Sequence, residues 1–148
     1  MASPGLSDES KSIAEGFRDD TASFLAHNEY QQADDALKKA GRAGKKSDIE
    51  AAIEMFKSIA KEYSTTKYGD LAYGRLGDAY TMLADKEEHY FADALYYYRF
   101  LPKKYNVESP GDAQVKDAID YCSREAAEVL AYMRAKNIPE RQEPTGGN

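Results

Sequence analysis

The chain has 148 residues, a formal charge of −6 and a pI near 5.0, which works against a nucleic-acid partner because phosphate binders carry a clustered basic footprint. Apolar and aromatic residues make up 42% while mean hydropathy is −0.74, so the apolar residues sit in amphipathic segments, and no run is long enough for direct membrane insertion. The lone Cys122 cannot close an internal disulfide.

The opening Met1 to Ser7 has neither the basic start nor the apolar core of a secretory signal, and reads as a flexible leader. As it stands the chain is expected in the cytoplasm, with a periplasmic or other extracytoplasmic placement if a signal segment was removed. Ile13, Phe17, Phe24 and Leu25 recur at roughly helical spacing and predict a first helix over about Asp8 to His27. Ala33, Ala36, Leu37 and Ala40 predict a second, closed by Gly41 and Gly44. Ser47-Asp48-Ile49-Glu50 reads as a capping box that opens a third. On it Ile49, Ala52, Ile53, Phe56, Ile59, Ala60 and Tyr63 share one face.

Tyr73, Leu76, Tyr80 and Leu83 stripe a fourth helix, with Gly77 where a neighbour must come close. The polar Ala84 to Glu88 stretch leads to a fifth, about His89 to Tyr105, which Pro102 should end or kink. Ser109-Pro110 then offers a cap and a first-turn proline for a sixth helix. That helix carries Val115, Ala118, Ile119, Cys122, Ala126, Val129, Leu130 and Met133 and ends near Asn137. The polar, Pro- and Gly-containing residues 138–148 are expected to be disordered. No strand is expected. The predicted fold class is all-α, about six antiparallel helices in one domain over residues 8–137.

One pattern spans these elements. Ile49 to Asp78 returns 42 residues later as Phe91 to Asp120, with Ala52 on Ala94, Phe56 on Tyr98, Tyr63 on Tyr105, Gly69-Asp70 on Gly111-Asp112 and Asp78 on Asp120. Such a period, with two helical patterns in it, is the mark of a helical-hairpin array.

Tyr73, Leu76, Gly77 and Tyr80, followed by Ala94 and Tyr98, resemble one tetratricopeptide (TPR) repeat. The resemblance covers about residues 33–133, with repeats near 33–64, 68–106 and 109–137, the last helix standing as a cap. The chain departs from the motif at its closing proline, replaced by Ser64 and Asn106. The loop before Ala94 is about five residues longer than a repeat of roughly 34 allows. The stretched repeats and the Lys104 to Pro110 turn are also similar to bacterial envelope TPR proteins, of the outer-membrane assembly and cell-division coordination kind.

In that fold the first helices of successive repeats line a concave groove. The resemblance therefore implies a partner-binding groove with Leu37, Leu71 and Met82 as apolar contacts and Arg75, Asp78, Lys116, Asp120 and Arg124 as charged ones. The same charges read equally as a solvated face with i,i+4 pairs such as Lys116 with Asp120. Gly41, Ala113 and Asp117 stand where chaperone-tail clamps of the family need Lys and Asn, so that activity is not expected.

The repeat also serves as its own control. Glu54 and Ser58 become Tyr96 and Phe100 at the 42-residue offset, which points to a convex protein interface or to cover by the chain's own N-terminal helix or leader. No catalytic constellation and no metal set is visible. His27 and His89 stand in no recognisable pattern with Cys122, which reads as a small buried hydrophobe, and the Asp85 to His89 loop lacks the spacing of a calcium loop. No cofactor is expected. The expected function is a non-catalytic scaffold binding a protein or peptide, with a self-assembling homo-oligomer or filament as the alternative.

Overall fold

The computed structural model describes the backbone of residues 8–141 and the side chains of residues 21–141. Among the described residues the fold is all-α, with five helices: α1 (Asp8–Ala43), α2 (Lys46–Glu62), α3 (Lys67–Ala84), α4 (Tyr90–Lys104) and α5 (Ala113–Lys136). Each packs antiparallel on the next. In addition α3 touches both α1 and α5, so α1, α3 and α5 lie side by side and α2 and α4 cover them from one side.

The expected first and second helices are one element. Ala26, Tyr30, Ala33, Leu37 and Ala40 continue a single stripe, on which Ala26, Ala33, Leu37 and Ala40 are buried. Alanines carry this stripe apart from Tyr30 and Leu37, which is why its hydrophobic signal breaks around Asn28. The helix runs through Gly41 and stops at Gly44, whose φ of +69° is left-handed and suits a residue without Cβ.

That tight stop leaves only Gly44 and Lys45 as a connection, so α2 begins at Lys46. Lys45 is its N-cap without a side-chain bond, and Ser47 lies inside the first turn rather than capping it. The expected face holds: Ile49, Ala52, Ile53, Phe56 and Ile59 are all buried. Phe56, at 0% exposure, alone contributes about 2–3 kcal/mol by removal from water.

Helix α3 is capped by Thr66, whose hydroxyl accepts from the Gly69 N–H at 3.4 Å. Helix α4 carries Pro102 in its last turn and ends two residues later at Lys104. The next start also differs from expectation. Asp112, not Ser109, caps α5, its Oδ1 accepting from Gln114 N at 2.8 Å and Val115 N at 3.2 Å. The Gly-Asp pair thus has two roles across the offset, since Asp70 sits within α3 and takes Lys104 Nζ at 2.6 Å and the Tyr105 hydroxyl at 2.5 Å.

The expected disorder beyond residue 137 does not begin there. Asn137 adopts a left-handed φ of 58°, and Ile138 N donates to Met133 O at 2.9 Å, which turns the chain back. Ile138 packs on the core, Glu140 pairs with Arg99 at 2.7 Å, and Arg141 reaches the fully buried Asp93 at 3.6 Å. Residues 142–148, like the leader 1–7, lie outside the described residues.

Candidate functional site

Three helices placed side by side leave a trough between their outer walls, and here it forms an open cavity of about 510 Å³. One wall is α1, with His27, Tyr30 and Gln31. The floor is α3, with Tyr68, Leu71, Gly74, Arg75 and Asp78. The far wall is α5, with Gln114, Asp117, Ala118 and Tyr121.

The floor is set by an ionic network. Arg75 Nε pairs with Asp34 Oδ1 of α1 at 3.0 Å, and its NH1 pairs with Asp78 Oδ2 at 3.1 Å. Asp34 also takes Lys38 at 3.1 Å. Asp78 Oδ1 accepts the hydroxyls of Tyr98 from α4 and Tyr121 from α5, each at 2.5 Å. Four helices are joined at one Arg-Asp pair.

The protonation equilibria follow from that packing. Burial alone would lower the Arg75 pKa, but Tyr30, Asp34 and Asp78 around it more than reverse this and hold it firmly cationic. Burial raises Tyr98 and Tyr121 far above the ordinary phenol value, and the Asp78 carboxylate adds to both shifts. Beneath the floor, burial pushes the Cys122 thiol up to about 12, with Asp78 and Glu125 adding to it. A thiol so held is not a nucleophile at neutral pH.

An aromatic run braces the α1 wall. His27 Nδ1 and the Tyr68 hydroxyl are 2.9 Å apart, Tyr30 lies 5.7 Å from Tyr68, and Tyr30 meets the buried Phe56 of α2 edge-on, also at 5.7 Å. At the mouth Lys67 spans from α3 to α5, donating to Gln114 Oε1 at 2.5 Å beside Asp112 at 3.7 Å.

Of the groove residues expected from sequence, Leu71, Arg75 and Asp78 line this trough. The other expected contacts lie elsewhere. Leu37 is 3% exposed and belongs to the core. Met82 lies farther along α3, half-buried toward Gly41 of α1. Lys116, Asp120 and Arg124 are exposed on α5 outside the lining, where Asp117, Ala118 and Tyr121 stand instead. The stripe Val115, Cys122, Val129 and Met133 explains this: as it docks on α3 and α4, it rotates α5 about one position from the offset.

On the opposite side Phe100 stacks on Tyr73 at 3.7 Å and 7°, and Tyr96 meets Tyr97 edge-on at 5.1 Å. Both residues are half-buried, and Phe100 is covered by Tyr73 of α3. Among the described residues no group of three or more His, Cys, Asp or Glu is placed to hold a metal, and no helix is long and apolar enough to cross a membrane. Comparison with protein-family models, with curated proteins and with solved structures gives no match to this chain.

Proposed function

We propose that this chain is a non-catalytic binding scaffold of tetratricopeptide type, in which α1, α3 and α5 form the concave side and a partner protein or peptide occupies the trough between them. The observation that carries the reading is the trough itself: about 510 Å³, open, and lined from three helices by rings, amides and a few charges. Ring surface and a half-buried Leu71 supply affinity, and the polar groups set orientation. The echo at 42 residues and the Tyr98 ring seated over Gly77 support the hairpin-array part of the proposal.

The test is selection of short random peptides on the full-length protein, with counter-selection on Leu71→Gln. Leu71 is half-buried at the floor of the trough, and this variant removes its apolar contact without adding a charge. Peptides that bind the parent and lose the variant support the groove. Peptides that bind both equally, with circular dichroism unchanged, overturn it.

A second reading is self-association. Phe24 and Leu25, 58% and 49% exposed on adjacent positions of α1, favour it, because a second copy would cover them. Sedimentation across a concentration range decides this: a strict monomer removes the reading.

A further inference from the structure

We infer that the groove selects its partner by a lysine or arginine side chain, whose cation lies against the rings of Tyr30, Tyr68 and Tyr121 with Asp117 as its counter-charge. This rests on the groove reading above and adds the chemistry of the guest. Arg75 is the sole cation among the lining residues, and its charge is already spent on Asp34 and Asp78 at 3.0 and 3.1 Å. An incoming carboxylate would therefore find no unpaired lining cation and would face two lining acids, Asp78 and Asp117. Asp78 in turn is satisfied by Arg75, Tyr98 and Tyr121.

Asp117 differs from it. It is exposed on the α5 wall, and no ion pair among the described residues takes it. With Arg75 neutralised inside its own network, the groove presents a net negative charge beside three phenol rings. Tyr30, Tyr68 and Tyr121 come from three different helices, so a guest in the trough has ring surface on each wall. A cation gains from ring faces and from a carboxylate together, whereas an anion loses to both. The protein already uses this contact at the mouth, where Lys67 Nζ stands 5.5 Å from the Tyr68 ring centroid with its own charge offset by Asp112 at 3.7 Å. The amides of Gln31 and Gln114 on facing walls can pair with the backbone of an extended guest.

The experiment takes the peptides selected on the full-length protein and measures them by calorimetry against the parent, Leu71→Gln and Asp117→Asn. The expected result is peptides that lose Leu71→Gln and share a lysine or arginine. Replacing that residue by norleucine should weaken binding about tenfold, Asp117→Asn should cost the parent peptide about as much, and the norleucine peptide should be indifferent to Asp117→Asn. Groove-dependent peptides that lack a basic residue, or that bind Asp117→Asn as well as the parent, overturn this inference and leave the groove standing. If no selected peptide discriminates Leu71→Gln, both fall.

Discussion

Gly77 of α3 lies directly under the ring of Tyr98 on α4: a Cβ at this position would fall 2.7 Å from Tyr98 Cζ and closer still to Cδ1 and Cε1. Tyr98 is 1% exposed and its hydroxyl is held by Asp78, so the ring cannot move aside. Gly77→Ala should therefore destabilise the protein by about 1–3 kcal/mol in urea unfolding despite the better helix propensity of alanine. Gly74→Ala is the control, since its Cβ would meet only Cys122 Sγ at 3.4 Å, and it should be neutral or stabilising by up to about 1 kcal/mol. Equal effects of the two would refute the close-packing account.

Asp78→Asn should cost about 2 kcal/mol, because one amide cannot accept from Tyr98 and Tyr121 and also from Arg75 without turning a donor toward a donor. Tyr121→Phe removes a single hydroxyl and should cost about 1 kcal/mol. A double variant whose loss equals the sum of the singles would show that the groups act separately, contrary to the shared carboxylate.

Alkaline pH should unfold the protein steeply. Burial raises the folded-state pKa of Tyr97 and of Tyr98 above the ordinary 10.0, so between that value and the raised one the unfolded chain gives up a proton the native state keeps. The contribution of these rings is then full below pH 10 and falls as pH rises through it, by about 1.4 kcal/mol per pH unit for each. Cys122, raised to about 12, adds a loss in the window above its ordinary 9.0. Part of the absorbance at the phenolate band should rise only together with loss of helix; a rise that is complete before unfolding would contradict buried, neutral tyrosines.

The turn after α5 should respond to its backbone sign. Asn137 has a φ of 58°, so Asn137→Ala should cost about 1 kcal/mol while Asn137→Gly costs nothing. The alanine variant should also speed proteolysis between residues 137 and 141, because Ile138 and Arg141 lose their register on Met133 and Asp93. Equal cleavage rates would mean the turn does not hold this segment.

The legible parts were those where large side chains repeat at helical spacing. Ile49, Ala52, Ile53, Phe56 and Ile59 on α2 and Leu76, Tyr80 and Leu83 on α3 are buried as their periodicity required, and Leu71, Arg75 and Asp78, which the resemblance implied as contacts, line the trough. The continuity of α1 was hidden because alanines carry its stripe and because Gly41, tolerated inside a helix, reads as a stop. The α5 wall was missed because the 42-residue offset assumes equal packing on both sides, whereas α5 has α3 and α4 on one side only. Tyr121 could have been found from the α5 stripe itself, since it precedes the buried Cys122 and so lies at its edge. Asp112 as a cap was missed for a different reason: Ser109-Pro110 offers a hydroxyl and a first-turn proline three residues earlier, and reads as the start in its place.

The carboxylate that grips Tyr98 and Tyr121 at once has a mechanical corollary. If the trough takes the proposed guest and that guest draws the Tyr121 hydroxyl away, the same oxygen is left wholly to Tyr98, whose ring then tightens against the bare backbone at Gly77. Amide exchange along α4 would in that case serve as a remote gauge of occupancy.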